Sequence, residues 1–275
     1  MRPTPFGVGL VAATAVTIGF LVVPIVAIFA ELSLAELRAG LTSEVTRDAL
    51  RVTAETNLVA LALIVVFGTP TAYLLATRGF RGRALLVTLV ELPLVLPPAV
   101  AGIGLLAAFG NFGLLGGAVE AFGLDIAFTK VAVVLAVTFV ASPFYVRTAI
   151  AAFEAVDRDL VAAARTLGAG PARTFVRVAL PLASGGLGAG AALAFARGLG
   201  EFGATIMFAG SLQGVTQTLS LAVYQEFDVR FENALAIGAL LVLASALILL
   251  TAKLVPAWKR SVSTSTTASV PSVSS

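Results

Sequence analysis

The chain has 275 residues, of which 59% are hydrophobic and 12% charged, and a formal net charge of +3; its mean hydropathy is +1.01. Soluble domains carry roughly 25% charged residues, so this composition excludes a soluble globular enzyme and fits an all-α membrane protein of about six transmembrane helices. With no cysteine and no histidine, disulfides, thiol nucleophiles, Cys/His metal sites and histidine acid–base chemistry are excluded too.

The first apolar run, about 6–30, is too long for a signal-peptide core of about 7–15 residues and reads as an anchor helix. Residues 31–54 form a polar loop of mixed charge with partly helical periodicity. A second span, about 56–76, ends in a basic turn containing Arg78, Arg81 and Arg83. The third, about 85–109, places Glu91, Pro93, Pro97 and Pro98 in an apolar stretch. Proline removes a backbone donor, and lipid offers nothing to the freed carbonyls. This backbone is therefore expected to face protein or a water-filled path; a kinked packing helix is the plainer alternative. Glu91, near the basic turn, is placed at the interface.

A Gly-rich loop without Lys or Arg covers 111–126, and a fourth span, about 128–146, contains Ser142-Pro143 and ends at Arg147. The segment Asp157 to Pro181, DRDLVAAARTLGAGPARTFVRVALP, is the longest charge-bearing amphipathic stretch. Asp157 or Asp159 can cap a short helix that holds Ala162, Ala163, Ala164, Arg165 and Leu167. Gly168 ends that helix and Pro171 prevents its resumption. Such a helix is suited to lying across the membrane surface and docking into another protein, although a solvated basic loop is an equal alternative.

The fifth span, about 178–199, has Gly186 and Gly190 in small-xxx-small spacing and is expected at the centre of the bundle. Residues 200–233 are too polar and Gly-broken for a simple span. A sixth span runs from about 234 to 254. One transmembrane domain thus covers 1–260, followed by a disordered polar tail, 261–275.

Alternating the spans puts twelve of the 18 Lys and Arg residues on one side, among them Arg147, Arg158, Arg165, Arg173, Arg177, Lys253, Lys259 and Arg260. Positive charge favours the cytoplasm, which places both chain ends and the 157–181 segment there, in a multi-pass protein of the cell membrane.

No enzyme constellation is present, since Ser184, Ser211 and Ser220 lack a histidine partner. Nor is there a phosphate-binding loop, so any nucleotide energy comes from another polypeptide. No nucleic-acid pattern accompanies the basic residues. The sharpest polar feature in apolar sequence is ARGLGEFGAT, where Arg197 and Glu201 lie one helical turn apart. The pair either neutralises itself at a helix end or shapes a polar passage. Gly198, Gly200 and Gly203 thin the backbone there, and with Thr205, Pro97 and Pro98 they complete the candidate pathway or gate.

The segment AAARTLGAGPARTFVRVALP resembles the cytoplasmic coupling motif of ATP-binding cassette importer permeases. Ala163, Ala164, Gly168, Val178, Leu180 and Pro181 fall at its positions, while Ala162 stands where the family usually has Glu. The stretches LPLVLPPAVAGIGLL, FARGLGEFGATIMFAGSL and TQTLSLAVY resemble permeases of molybdate and tungstate importers; sulfate and thiosulfate permeases share only part of them. The resemblance implies an oxyanion importer subunit, a homodimer with a path at its interface and an extracytoplasmic binding protein. It also implies cytoplasmic ATPase subunits that carry ATP and magnesium, this chain binding no cofactor. An ion-coupled secondary transporter and a membrane scaffold are the alternatives from other classes.

Overall fold

A computed structural model describes the backbone of residues 4–266 apart from 122 and 124, and side chains as far as 252 apart from 119 as well. Among the described residues all regular structure is helical. Five helices are long and apolar enough to cross a membrane, or six if a bent pair is counted as one span.

The first, α1 (Pro5–Ala30), starts at Thr4, whose hydroxyl accepts from the Gly7 amide, and none of its residues is buried. The polar loop after it folds into α2 (Leu34–Thr42), closed by a capping box between Ser33 and Glu36. The Ser33 hydroxyl and amide hold the Glu36 carboxyl below its ordinary value, as hydrogen bonds to a charged form do.

Helix α3 (Glu44–Thr77) begins twelve residues before the expected 56, from an N-cap at Ser43. Thr46, Ala49, Val52, Thr53, Thr56, Asn57 and Ala60 are buried along it, which is one face of a helix at three- and four-residue spacing. The charges opposite made the segment read as a loop. The third apolar run is two helices, α4 (Arg83–Val95) and α5 (Pro98–Phe109), bent by 114°. Leu96 and Pro97 are extended there, because each precedes a proline and is kept out of the helical region. After the short α6 (Gly116–Ala121) comes α7 (Lys130–Glu154).

Packed against α3, α4 and α10, α7 is the post of the bundle. Arg83 pairs with Glu154 at 2.8 Å and Arg147 with Glu91 at 3.1 Å, so α4 runs antiparallel along the basic end of α7. At the opposite end Lys130 bonds Glu55 at 2.6 Å, and Glu55 also holds Arg51. These pairs fix the two ends of a 25-residue ruler, roughly 37 Å long at 1.5 Å per residue. Tyr145 of α7 packs against Gly68 of α3, and its hydroxyl lies 2.6 Å from that of Thr69.

Helix α8 (Arg158–Thr166) is followed by α9 (Pro171–Thr174), a π turn (Phe175–Ala179) and α10 (Leu180–Leu199), which run as one helix from Pro171 to Leu199. Pro181 has no amide to give the carbonyl one turn back, and the ladder widens so that the Leu180 N–H donates to Phe175. The fifth span therefore starts about seven residues earlier than expected. A Cβ on Gly186 would lie 2.5 Å from that of Ala152, and one on Gly190 3.1 Å from Thr148; the small residues do set α10 against α7.

The 200–233 stretch becomes α11 (Gly203–Ala209) and α12 (Leu219–Val229), and α13 (Phe231–Thr266) closes the chain. The tail expected from 261 overlaps the end of α13. Its remainder, 267–275, and the side chains of Lys253, Lys259 and Arg260 lie outside the described residues.

Candidate functional site

Helix α8 is built as its residues dictate. The Asp157 carboxylate accepts from the Asp159 amide at 2.8 Å, the N-cap that a helix of this length needs. At the other end Gly168 takes φ +84°, and its amide reaches Arg165 while Ala169 reaches Ala164. Gly168 is required by this left-handed turn and not by crowding, since nothing lies within 4 Å of where its Cβ would be. Val161 and Ala164 face the bundle, whereas Ala162, Ala163, Arg165, Leu167 and Gly168 are exposed. Leu167 is 88% exposed and Leu160 nearly half. The two leucines are seven residues apart and so share one face of α8.

The second set of candidate residues gathers roughly 40 Å away, at the far end of α10. There α5 and α11 meet without intervening side chains. A Cβ on Gly102 would lie 2.5 Å from the Ala204 carbonyl oxygen, and one on Gly203 2.8 Å from the Pro98 Cβ. Pro97 sits at the bend, its carbonyl accepting from Val100 and Ala101. Glu201 is 2% exposed. Its Oε1 accepts from the Ala204 amide at 2.7 Å, and its Oε2 is 2.6 Å from Arg197 Nη2, the arginine side chain being 26% exposed. The expected self-neutralising pair is thus present, and the same carboxylate caps α11. Thr205 is fully buried with its hydroxyl unpartnered. Gly200 is exposed at the end of α10.

Depth follows from the α7 ruler. A Cβ on Gly198 would meet Asn57 and Val137, and Val137 lies seven residues, roughly 10 Å, inside the Lys130 end. The Arg197–Glu201 pair therefore belongs to the interior of the apolar layer, not to its rim. Charges at such depth face one another or a cavity.

Several polar residues around this point were not singled out from sequence, and Ser220 was named there only as a serine without a histidine partner. Thr53 accepts from the Leu219 amide at 2.8 Å, and Ser220 donates to the Leu199 carbonyl at 2.8 Å. Asn57 donates to Thr53, yet its Oδ1 is unpartnered and buried, as are the hydroxyls of Thr138 and Thr218 and the Gln217 carbonyl oxygen. A lone asparagine at helical spacing from Thr53 in an apolar span was the available signal. The structure brings Pro98, Arg197, Glu201, Gly203 and Thr205 into one neighbourhood, with Pro97 and Gly200 at its edges; the α8 residues form a separate site.

Residues 64–258 match the model of the family described as binding-protein-dependent transport system inner membrane component. The molybdenum transport system permease protein ModB of Mycobacterium tuberculosis is 44% identical over 231 residues, covering 84% of this chain and 88% of that protein. The protein of the same name from Escherichia coli is 46% identical over 159 residues, 58% of this chain and 69% of its own. Among solved structures, a chain of a bacterial alginate ABC transporter in complex with its pentasaccharide-bound periplasmic protein superposes with a TM-score of 0.69. It covers 89% of this chain and 91% of its own at 16% identity, a likeness of fold alone.

Proposed function

The chain belongs to the family of binding-protein-dependent transport system inner membrane components, and from that premise we propose that it is the permease subunit of an ATP-driven molybdate importer. The cargo follows the extended identity to a molybdenum transport permease over most of both chains. The chain performs no covalent step. ATP and magnesium are bound by separate ATPase subunits, and an extracytoplasmic binding protein delivers the oxyanion.

The observation that carries the mechanism is the continuity of Pro171–Leu199. This helix joins a capped, uncovered docking helix at one end to a buried ion pair and two half-length helices at the other. We assign Ala162, Ala163, Ala164, Arg165, Leu167 and Gly168 to ATPase coupling, with Leu160 and Leu167 as apolar anchors. Pro97, Pro98, Arg197, Gly200, Glu201, Gly203 and Thr205 form the gate. Its working is a shift between inward- and outward-open populations, biased by ATPase closure through its differential contacts with α8. Excess positive charge assigns the α8 end, and with it both chain ends, to the cytoplasm. The apolar α1, none of whose residues is buried, supports a homodimer.

The test is ATP hydrolysis by the reconstituted permease with its ATPase, in the presence of molybdate-loaded or sulfate-loaded binding protein. Stimulation by the molybdate-loaded form alone is expected. Stimulation by the sulfate-loaded form overturns the cargo and keeps the architecture, and no ATPase association overturns the coupling assignment.

A further inference from the structure

Between α8 and the basic-end termini of α3 and α7 lies a cleft of about 390 Å³. Its floor is apolar, formed by Tyr73, Ala76, Phe153, Val156, Val161 and Ala179, with the Tyr73 and Phe153 rings edge to face at 5.2 Å. Its charged lining is Glu154, Arg158 and Arg165. Glu154 is already engaged by Arg83 at 2.8 Å. Arg158 and Arg165 form no ion pair among the described residues, so the cleft carries two uncompensated guanidinium groups.

Positions 158, 162 and 165 share one face of α8, at spacings of four and three residues. A carboxylate at the middle position would reach both arginines. The residue there is Ala162, which supplies no charge and leaves the space open. Thr77 and Glu154 are the last residues of α3 and α7, so the cleft opens at the ends of these two spans, about two helical turns beyond the Arg147–Glu91 pair. Basic pockets between helices at that level suit anionic lipid headgroups. A free inorganic anion would gain nothing from an aromatic and aliphatic floor.

We propose that this cleft binds the headgroup of an anionic phospholipid, whose phosphate supplies the negative charge that α8 lacks, with the upper acyl region resting on Tyr73 and Phe153. The lipid braces α8 through Arg158, Ala162 and Arg165, so that of the residues assigned to coupling Ala162 and Arg165 act through the lipid and Ala163, Leu167 and Gly168 stay free for the ATPase. Through the lipid the charge of the membrane leaflet sets how firmly the docking helix is held. The inference is independent of which anion the permease carries.

The full-length permease, in discs of phosphatidylcholine doped with phosphatidylglycerol, is examined by native mass spectrometry for retained lipid. Retention of one phosphatidylglycerol per chain is expected, at roughly tenfold preference over phosphatidylcholine. Ala162→Glu, which installs the missing carboxylate, and Arg158→Gln are each expected to bring the preference to parity. Arg158→Lys keeps the charge and should keep most of the preference, which separates headgroup binding from a fold defect. Parity in the unaltered protein overturns the proposal, as does undiminished preference in both Ala162→Glu and Arg158→Gln. Displacement of the lipid by millimolar inorganic phosphate, or by the ATPase subunit, equally overturns it by assigning the cleft to a soluble anion or to the partner. The readout is retained lipid, so failure of the molybdate assignment leaves it intact.

Discussion

The carboxylate of Glu201 joins two helices: one oxygen meets Arg197 of α10 at 2.6 Å, and the other takes the Ala204 amide of α11 at 2.7 Å. Glu201→Gln keeps an acceptor for Ala204 and removes the partner of Arg197. A half-desolvated arginine left alone costs about 1–3 kcal/mol, short of the larger penalty of a fully buried pair. The expected outcome is a lower thermal midpoint in detergent and at least about a tenfold loss of uptake. Glu201→Ala also uncaps α11, and its midpoint should fall further.

The meeting of α5 and α11 depends on hydrogen in place of a methyl group. In Gly102→Ala the new carbon would confront the Ala204 carbonyl, a backbone atom that cannot step aside. Overpacking of this kind costs about 1–3 kcal/mol. Gly104→Ala, on the same helix with open space around it, should leave both stability and uptake unchanged. Thermal unfolding and uptake measured on the two variants check the contrast.

Gly168 and Gly170 separate backbone strain from crowding. Neither has an atom near its Cβ position, yet only Gly168 has a positive φ. Gly168→Val forces a left-handed β-branched residue, a penalty of about 1–2 kcal/mol, confined to the end of α8. Normal membrane insertion with loss of stimulated ATP hydrolysis is expected. Gly170→Ala should retain full stimulation.

Tyr145 and Thr69 tie α7 to α3 through a buried hydroxyl pair. Thr69 also bonds the Val65 carbonyl, so Tyr145→Phe leaves it one partner. The expected loss is about 1 kcal/mol, seen as a small drop in thermal midpoint with unchanged uptake.

The sequence was most readable where local chemistry decides structure. Asp157 and Gly168 delimited α8 because caps and breakers act over a few residues, and Pro97-Pro98 announced the break in the third span; Pro171, expected to stop helix, instead opens the next one, because a proline at the first helical position has no bond to lose. The size of the bend was out of reach, since 114° is set by what α5 packs against. The early start of α3 was missed because its buried stripe from Thr46 to Asn57 is interleaved with Arg47, Asp48, Arg51 and Glu55. The Arg197–Glu201 spacing was legible, but its depth depends on Gly198 meeting Asn57 and Val137, a contact between three helices that no window along the chain contains.

The helix from Pro171 to Leu199 also has the proportions of a lever. From Pro171 to Arg197 is roughly 39 Å at 1.5 Å per residue, so a tilt of about 5° about the Pro171 end sweeps Arg197 through roughly 3.5 Å, and Glu201, whose amide is bonded to the Gly198 carbonyl, travels with it. The swing moves the ion pair as a unit and is felt where Gly198 lies against Asn57 and Val137. The π turn at Phe175–Ala179 lies near the fulcrum, where slack in the hydrogen-bond ladder moves the distal end most.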